Sequence, residues 1–380
     1  MIYYLGAYER FNYGDMLFPK VLNYFLNQKE ININNIKFLG LIDANLSQYG
    51  GDKIIALSNI IDKLSQDDVI IVVGGEVLNS NSGILYSFIY DSYIINLLVK
   101  LKLILPASFV ANLKFKLSTY YPYDLYRKET KFFVIYNAVG GLLNKKNISK
   151  KTLYFSTRAQ IVFDKIRNYS VNLYPDCVAI ISDIYSKNNC KLVKSNQNIN
   201  LINSFKNGYI AFQLNKKNCK KYGKRIVYQL DILSKKTNLP IVFIPIGLAK
   251  GHEDMYSYEF LKLRMKSSLK LINPSSIYDI LYSISNCSMF IGTSLHGNIT
   301  AMSYNIPNMG FGGSKVHNYL NKWAGGIQKN GSPSIDKLCT TAIAILEQPK
   351  SRYTKENQNH KLLAYENLNK ISKIVKEFNV

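Results

Sequence analysis

The chain has 380 residues, 47% hydrophobic and 19% charged, which favours two domains able to bury full cores and excludes a disordered chain. Lys and Arg outnumber Asp and Glu 48 to 25, and the net charge of +23 suits anionic partners; yet only seven of the cations are Arg, and such Lys, Asn, Ile and Tyr abundance is also what an AT-rich genome writes by default. The N-terminus lacks the basic region of a signal peptide, no apolar run approaches ~18 residues, the five cysteines form no CxxC, and neither paired histidines nor a D-x-D clamp occurs, so the expectation is a cytoplasmic protein without a transmembrane span, disulfide framework or metal.

In chain order, Ile2–Leu5 reads as a short buried strand and Asp15–Asn27 as a helix, its Met16, Leu17, Val21, Leu22 and Phe25 following a 3.6 period. Strands are predicted at Ile36–Ile42, Val69–Val73, Phe132–Tyr136, Leu153–Ser156 and Val178–Ile181. Ser186–Asn207, rich in Asn, Lys and Ser, reads as a linker. The second series is strand Tyr209–Leu214, helix Lys220–Thr237, strand Ile241–Ile246, helix Met255–Ser267 and strand Leu269–Ile272. Helix Ser276–Ser285, strand Ser288–Gly292, helix Leu295–Tyr304 and strand Asn308–Phe311 follow, and a polar helix over 354–378 closes the chain.

This alternation is the pattern of βαβ units and parallel sheets. The expected fold is α/β: two Rossmann-like domains, residues 1–190 and 205–350, in a GT-B-like arrangement with an interdomain cleft, plus a C-terminal helix over 354–380. Ligands in such sheets sit beyond the carboxyl ends of strands. The segment 84–127 stands apart. It mixes Tyr, Phe, Ile and Leu with Lys100, Lys102, Lys114, Lys116 and Arg127, and reads either as a face for an anionic membrane surface or as two core helices with lysines in water.

Five constellations carry chemistry. Asn12-Tyr13-Gly14-Asp15 follows the first strand and opens a helix, where Asp15 can cap the helix or act as a base. Gly74-Gly75-Glu76 ends the strand Val69–Val73, and paired glycines there allow either a ligand's close approach or a tight turn. Arg158 ends another strand, and its planar fork suits phosphate, carboxylate or a surface salt bridge, while Asp176 precedes the predicted strand Val178–Ile181. The sharpest is Gly292-Thr293-Ser294-Leu295-His296-Gly297: a strand, a turn and a helix start whose N–H groups and hydroxyls make an anion site, with His296 in the first turn as an acid–base group or phosphate ligand. Last, Pro307–Lys315 is a strand running into a glycine-rich loop with a cation. His252 and Asp254 follow another strand and are expected at the same cleft.

The ordered set Asn12-x-Gly14-Asp15, Gly74-Gly75, Arg158, Pro175-Asp176, His252-x-Asp254, Leu295-His296-Gly297 and Pro307…Lys315 resembles the polysaccharide pyruvyl transferase family over nearly the whole chain. Two positions depart from the family's common pattern: Ser294 stands where many members have Arg, and Ala159 where an acid often follows the arginine. The resemblance implies transfer of the enolpyruvyl unit of phosphoenolpyruvate to a sugar of a surface or capsular glycan repeat unit, as a pyruvate ketal, with phosphoenolpyruvate as donor substrate and no cofactor. It further implies an acceptor-side first domain and a donor-side second domain. His296 is then the acid or phosphate ligand and Asp15 the base. Arg158, Lys315, Gly292, Thr293 and Ser294 bind the donor, with Asn12, Gly14, Gly74, Gly75, Glu76, Asp176, His252 and Asp254 on the acceptor or cleft side. A lipid-linked acceptor would account for the 84–127 segment and for peripheral contact with the inner face of the cell membrane.

The alternative is a GT-B-type glycosyltransferase with a nucleotide-sugar donor, which wants a carboxylate for the ribose; Asp254 or Asp279 could serve. Nucleic-acid binding fits poorly, because the arginines are dispersed.

Overall fold

The computed structural model describes residues 1–127, 129–142, 148–187, 192–193, 195–249, 253–330 and 333–378. The chain forms two compact units. The first comprises Met1–Phe11, Phe18–Cys177 and Ala364–Val380, and the second Asn12–Leu17 and Val178–Leu363. Each is an α/β unit built on a largely or wholly parallel sheet, the class that the alternation of apolar runs and helical periods predicts.

In the first unit the elements run β1 (Ile2–Leu5), α1 (Tyr13–Gln28, shared with the second unit), β2 (Lys37–Gly40), β3 (Ala44–Asn45), β4 (Lys53–Ala56), β5 (Val69–Val72) and β6 (Glu76–Leu78). Then come α2 (Ser82–Ile89), α3 (Tyr93–Lys100), α4 (Ile104–Phe115), β7 (Phe133–Gly141), β8 (Thr152–Thr157), α5 (Gln160–Ile166) and β9 (Asn172–Leu173). The sheet order is β3-β4-β2-β1-β5-β7-β8-β9, with β6 beside β7; every pair is parallel except β3 with β4. The order reverses between β1 and β5, so the Gly74-Gly75 turn lies at the sheet's switch point. β1 and β5 read as uninterrupted apolar runs because both faces are covered: all eight side chains are buried. β7 carries a register shift around Asn137 and Ala138, and Asn137 donates to the Val73 carbonyl (3.0 Å), pinning the chain just before Gly74.

The second unit continues with α6 (Ile181–Ile184), α7 (Asn196–Ser204), β10 (Ile210–Gln213), α8 (Lys216–Thr237), β11 (Ile241–Phe243), α9 (Asp254–Lys262), β12 (Leu269–Leu271) and α10 (Ile277–Ser285). β13 (Met289–Gly292), α11 (Leu295–Ser303), β14 (Asn308–Gly310), α12 (Ser314–Trp323), α13 (Leu338–Glu347) and α14 (Ser351–Phe378) follow. Its sheet is β12-β11-β10-β13-β14, all parallel, and the order reverses between β10 and β13. From residue 364 onward α14 belongs to the first unit, where buried Asn367 accepts from Tyr154 (3.0 Å) and donates to Asn137 (2.7 Å).

Three expectations change. Val178–Ile181 is not a strand; it forms a short 3-10 turn (Cys177–Ile180) leading into α6, since four buried apolar residues in a row suit either state. The supposed linker 186–207 contains α7, capped by the Ser195 hydroxyl and tied to the second unit through paired Asn198 and Asn273 bonds (3.0 and 3.2 Å), so its amides make contacts where apolar periodicity is weak. The segment 84–127 holds three α-helices rather than two, with Pro106 tolerated in the first turn of α4. Among the described residues no helix is long and apolar enough to cross a membrane.

Candidate functional site

The polar groups of the second unit gather at the carboxyl ends of β10, β13 and β14, where α8, α11 and α12 begin. Three helix N-termini on three adjacent parallel strands concentrate positive dipole ends along one sheet edge. Bonds between the loops hold it together. The Thr293 hydroxyl donates to the Gln213 side-chain carbonyl (3.0 Å) and accepts from the Asn215 N–H (3.1 Å), bridging the switch point. Ser294 caps α11 by accepting from the Gly297 N–H (3.2 Å), and buried Asn298 returns bonds to the carbonyls of Gly292 (3.3 Å) and Ser294 (2.8 Å). The residues expected to grip an anion through their hydroxyls thus use them to shape the turn.

His296 lies in the first turn of α11, largely buried. Its neighbour comes from the other end of the sequence: a Cβ built on Gly14 would fall 1.7 Å from His296 Nδ1 and 2.2 Å from its Cγ. Only a residue without a side chain lets α1 start against the imidazole. Further bonds fix the same turn. Asn12 forms an antiparallel bridge with Gly247, its side-chain amide donates to the Asp15 carboxylate, and buried Tyr13 shares a 2.8 Å hydrogen bond with Thr300 of α11. Burial holds the Tyr13 phenol well above its ordinary range, so it stays neutral. Asp15 is half-buried, in the first turn of α1, oriented by Asn12. The structure therefore brings Asn12, Gly14, Asp15 and His296 together within one unit.

Lys315 is exposed at the start of α12, after Gly312, whose positive φ of 81° places the chain in the left-handed region that favours glycine. A side chain on Gly312 would meet Asn218 of α8 at 2.8 Å, so this loop closes against the first turn of α8.

Asp254 opens α9 and is fully buried. Its Oδ2 accepts from Gln213 Nε2 (2.9 Å) and from the N–H groups of Ile246 (3.0 Å) and Gly247 (2.9 Å), while Oδ1 has no hydrogen-bond partner among the described residues. Burial pushes its pKa up to about 6 against these three bonds. Its unfolded pKa lies near 3.9, so the native state holds a proton through this window that the unfolded chain has lost. Stability from this group is therefore present below about pH 4 and lost as pH rises toward 6, a swing of up to about 3 kcal/mol. Asp254→Asn should show a stability gain over wild type that grows between pH 4 and 6 and is flat above; urea unfolding at several pH values checks this, and a constant difference would mean the carboxyl titrates normally. Asp279 is likewise committed: buried, it closes the capping box of α10 and accepts from Ser275 and Ser276. His252 lies outside the described residues.

In the first unit, Arg158 follows β8 with its guanidinium buried. It pairs with fully buried Asp176 through Nη1 and with half-exposed Glu76 through Nη2 (3.2 Å). A Cβ on Gly140 would sit 2.8 Å from the Glu76 carboxylate and 3.0 Å from Arg158 Nε, so this glycine makes room for the ion group. Gly74 (φ 139°) and Gly75 (φ 89°) both adopt backbone that other residues rarely take, and the Phe18 ring lies against Gly74. The described cysteines, Cys177, Cys219, Cys287 and Cys339, are buried and their thiols pushed up, that of Cys287 to about 12.

Sequence reasoning missed Gln213, Asn298, Thr300 and Gly140. Gln213 had a signal, as the polar end of an otherwise apolar run, and Asn298 lies one turn into the helix whose start it bonds; Thr300 and Gly140 depend on partners distant in sequence.

The family model for polysaccharide pyruvyl transferase matches residues 12–315. A search of curated proteins gives no match. Among solved structures, the chain is similar to UDP-GlcNAc 2-epimerase from Methanocaldococcus jannaschii (12% identity, 99% of each chain, TM-score 0.57). It is also similar to S. aureus MnaA (12%, 99% of this chain and 96% of that one, 0.56) and to the Neisseria meningitidis UDP-GlcNAc 2-epimerase (12%, 98% and 99%, 0.55). At such identity the likeness shows the fold, which is GT-B-like.

Proposed function

The chain belongs to the polysaccharide pyruvyl transferase family, enzymes of polysaccharide biosynthesis, and from that premise we propose that it moves the enolpyruvyl unit of phosphoenolpyruvate onto hydroxyls of a surface or capsular glycan repeat unit carried on a lipid, forming a pyruvate ketal. The observation that carries this reading is the contact of His296 with the Asn12–Asp15 turn at the helix-start edge of the second unit. It sets an imidazole against the turn that carries the Asp15 carboxylate and at a helix N-terminus, and acid, base and anion-facing N–H groups are the three elements that a trianionic enol phosphate needs.

In this reading His296 gives a proton to the methylene carbon of the donor, leaving an oxocarbenium-like centre at carbon 2. A sugar hydroxyl adds there as Asp15 takes its proton, phosphate leaves with the C–O bond electrons and takes up that proton, and a second hydroxyl closes the ketal as its own proton returns to His296. Gly292, Thr293 and Ser294 shape the turn that aims the first N–H groups of α11 at the anion, and Lys315 adds a cation at the start of α12. In the first unit, Arg158 is an anion ligand of its own. Buried Asp176 holds it permanently, and half-exposed Glu76 is the partner that a substrate anion can replace. Gly74 and Gly75 give the acceptor a side-chain-free approach. Asp279 spends both its oxygens inside the unit, and Asp254 is fully buried with Oδ2 taken up by three bonds and Oδ1 shut away from solvent, so neither supports the nucleotide-sugar alternative by offering itself to a ribose.

The test is thermal stability with phosphoenolpyruvate and, separately, with nucleoside diphosphates. A ligand at 100 times its Kd adds about 2.7 kcal/mol. A shift with phosphoenolpyruvate that disappears in His296→Ala and Lys315→Ala is the expected result. A shift with a nucleoside diphosphate alone would overturn the reading and favour the glycosyltransferase.

A further inference from the structure

We propose that the outer face of α3 and α4 is a docking surface for an anionic lipid bilayer, on which the protein lies peripherally. Along α4, Leu105, Phe109 and Leu113 are 61, 57 and 66% exposed, and their spacing of four residues sets them in one row along the helix. On the opposite side of the same helix Ala107, Ala111 and Phe115 are buried in the first unit's core. α4 thus has two apolar faces, only one of which the fold uses. α3 repeats the arrangement: Ile94 and Leu97 are exposed while Ile95 is buried, and Leu101 extends the row just beyond the helix end. α3 packs against α4, so the two rows belong to one surface. Water-facing apolar patches of this kind are rare unless something covers them.

Charge identifies what does. From Ser92 to Tyr123 the sequence contains four lysines and no acid, and Lys100, Lys102, Lys114 and Lys116 are all exposed. A second copy of this chain would bring the same lysines against themselves, whereas a leaflet of anionic headgroups matches them while its acyl boundary takes the leucines. Tyr93 and Tyr120, also exposed, are the residue type that sits at headgroup level. Beside Phe109 and Leu113 a depression of about 390 Å³ is lined by Lys116, Leu117 and Tyr120, combining apolar walls with an ammonium. At 8 and 12 residues, α3 and α4 are far too short to span, so the face lies on the membrane. This inference rests on the first unit's own side chains and not on the transferase reading.

Co-sedimentation of the full chain with phosphatidylglycerol-rich vesicles and with pure phosphatidylcholine vesicles tests it. Binding is expected to the anionic vesicles, to weaken with salt, and to fall about fivefold for each of Lys100, Lys102, Lys114 and Lys116 changed to Gln, the equivalent of about 1 kcal/mol per lysine. The double variant Leu105→Asp, Phe109→Asp should lose it while keeping the wild-type Tm and any phosphoenolpyruvate-dependent thermal shift, so this idea and the donor assignment can fail separately. The proposal is overturned if the wild type does not sediment with anionic vesicles. It is also overturned if the double variant sediments like wild type, which would assign binding to the general basic surface, or if light scattering finds a dimer that the double variant breaks.

Discussion

Gly14→Ala is expected to cost about 2–3 kcal/mol of stability and to lower turnover by about two to three orders of magnitude. Position 14 is the second residue of α1, where helix propensity alone would make alanine better than glycine by about 1 kcal/mol. The opposite sign follows from one distance: the added methyl would lie 1.7 Å from His296 Nδ1, so the ring or the helix start must move. His296 is largely buried and has little room to retreat. The double variant Gly14→Ala, His296→Ala isolates the cause. Removing the ring should restore much of the stability lost by Gly14→Ala while activity stays absent, a favourable coupling of about 2 kcal/mol between residues 282 positions apart in the chain. Urea unfolding of the four proteins of the cycle, with turnover on each, measures both effects. Additive stabilities would mean the turn does not press on the imidazole.

Arg158→Ala is expected to cost about 3–5 kcal/mol, the range for removing one partner of a buried ion pair. Asp176 is fully buried beside the guanidinium, and without it the carboxylate loses its nearest cation in a place water does not reach. Replacing both together, Arg158→Met with Asp176→Leu, should cost far less, since a well-packed apolar pair often substitutes for a buried ionic one. Arg158→Lys separates stability from anion binding: it keeps the charge for Asp176 but loses the planar fork, so most of the stability should survive and affinity for phosphoenolpyruvate should not. A cost under about 1 kcal/mol for Arg158→Ala would show that the pair is solvated.

The second sheet's strands and β1, β2, β5, β7 and β8 of the first were legible because buried parallel strands leave a plain mark, such as the unbroken apolar run Val69–Val72, whereas the short β3, β4, β6 and β9 left none. The helix start after β13 was legible from the Gly-Thr-Ser turn, whereas after β14 the sequence showed only a glycine-rich loop and not the helix α12 that begins at Ser314. What the sequence could not carry was partnership. Ser294, Thr293 and His296 look alike as polar residues near one turn, yet the first two use their hydroxyls within the fold, and the third faces a glycine from the chain's beginning. Arg158 showed itself as a rare arginine after a strand; that Asp176 and Glu76 share it depends on the folding of loops 18 and 82 residues away. Local runs also misled where burial was uniform, as at Val178–Ile181, whose apolar residues fit a strand and a helical turn equally.

The segment Asn12–Leu17 belongs to the second unit although 160 residues separate it from the rest of that unit, and Ala364–Val380 belongs to the first although it ends the chain. Neither unit is therefore a continuous stretch of gene. A fragment cut at Val178 would carry His296 without Gly14, and an N-terminal fragment would lack Asn367, which bonds Asn137 and Tyr154. Recombination that exchanges the second half of this gene for a relative's would set an incoming histidine against the resident glycine turn. Residues 12–17 and the distal half are thus bound to be inherited as a matched set, and hybrids should succeed only when the two travel together.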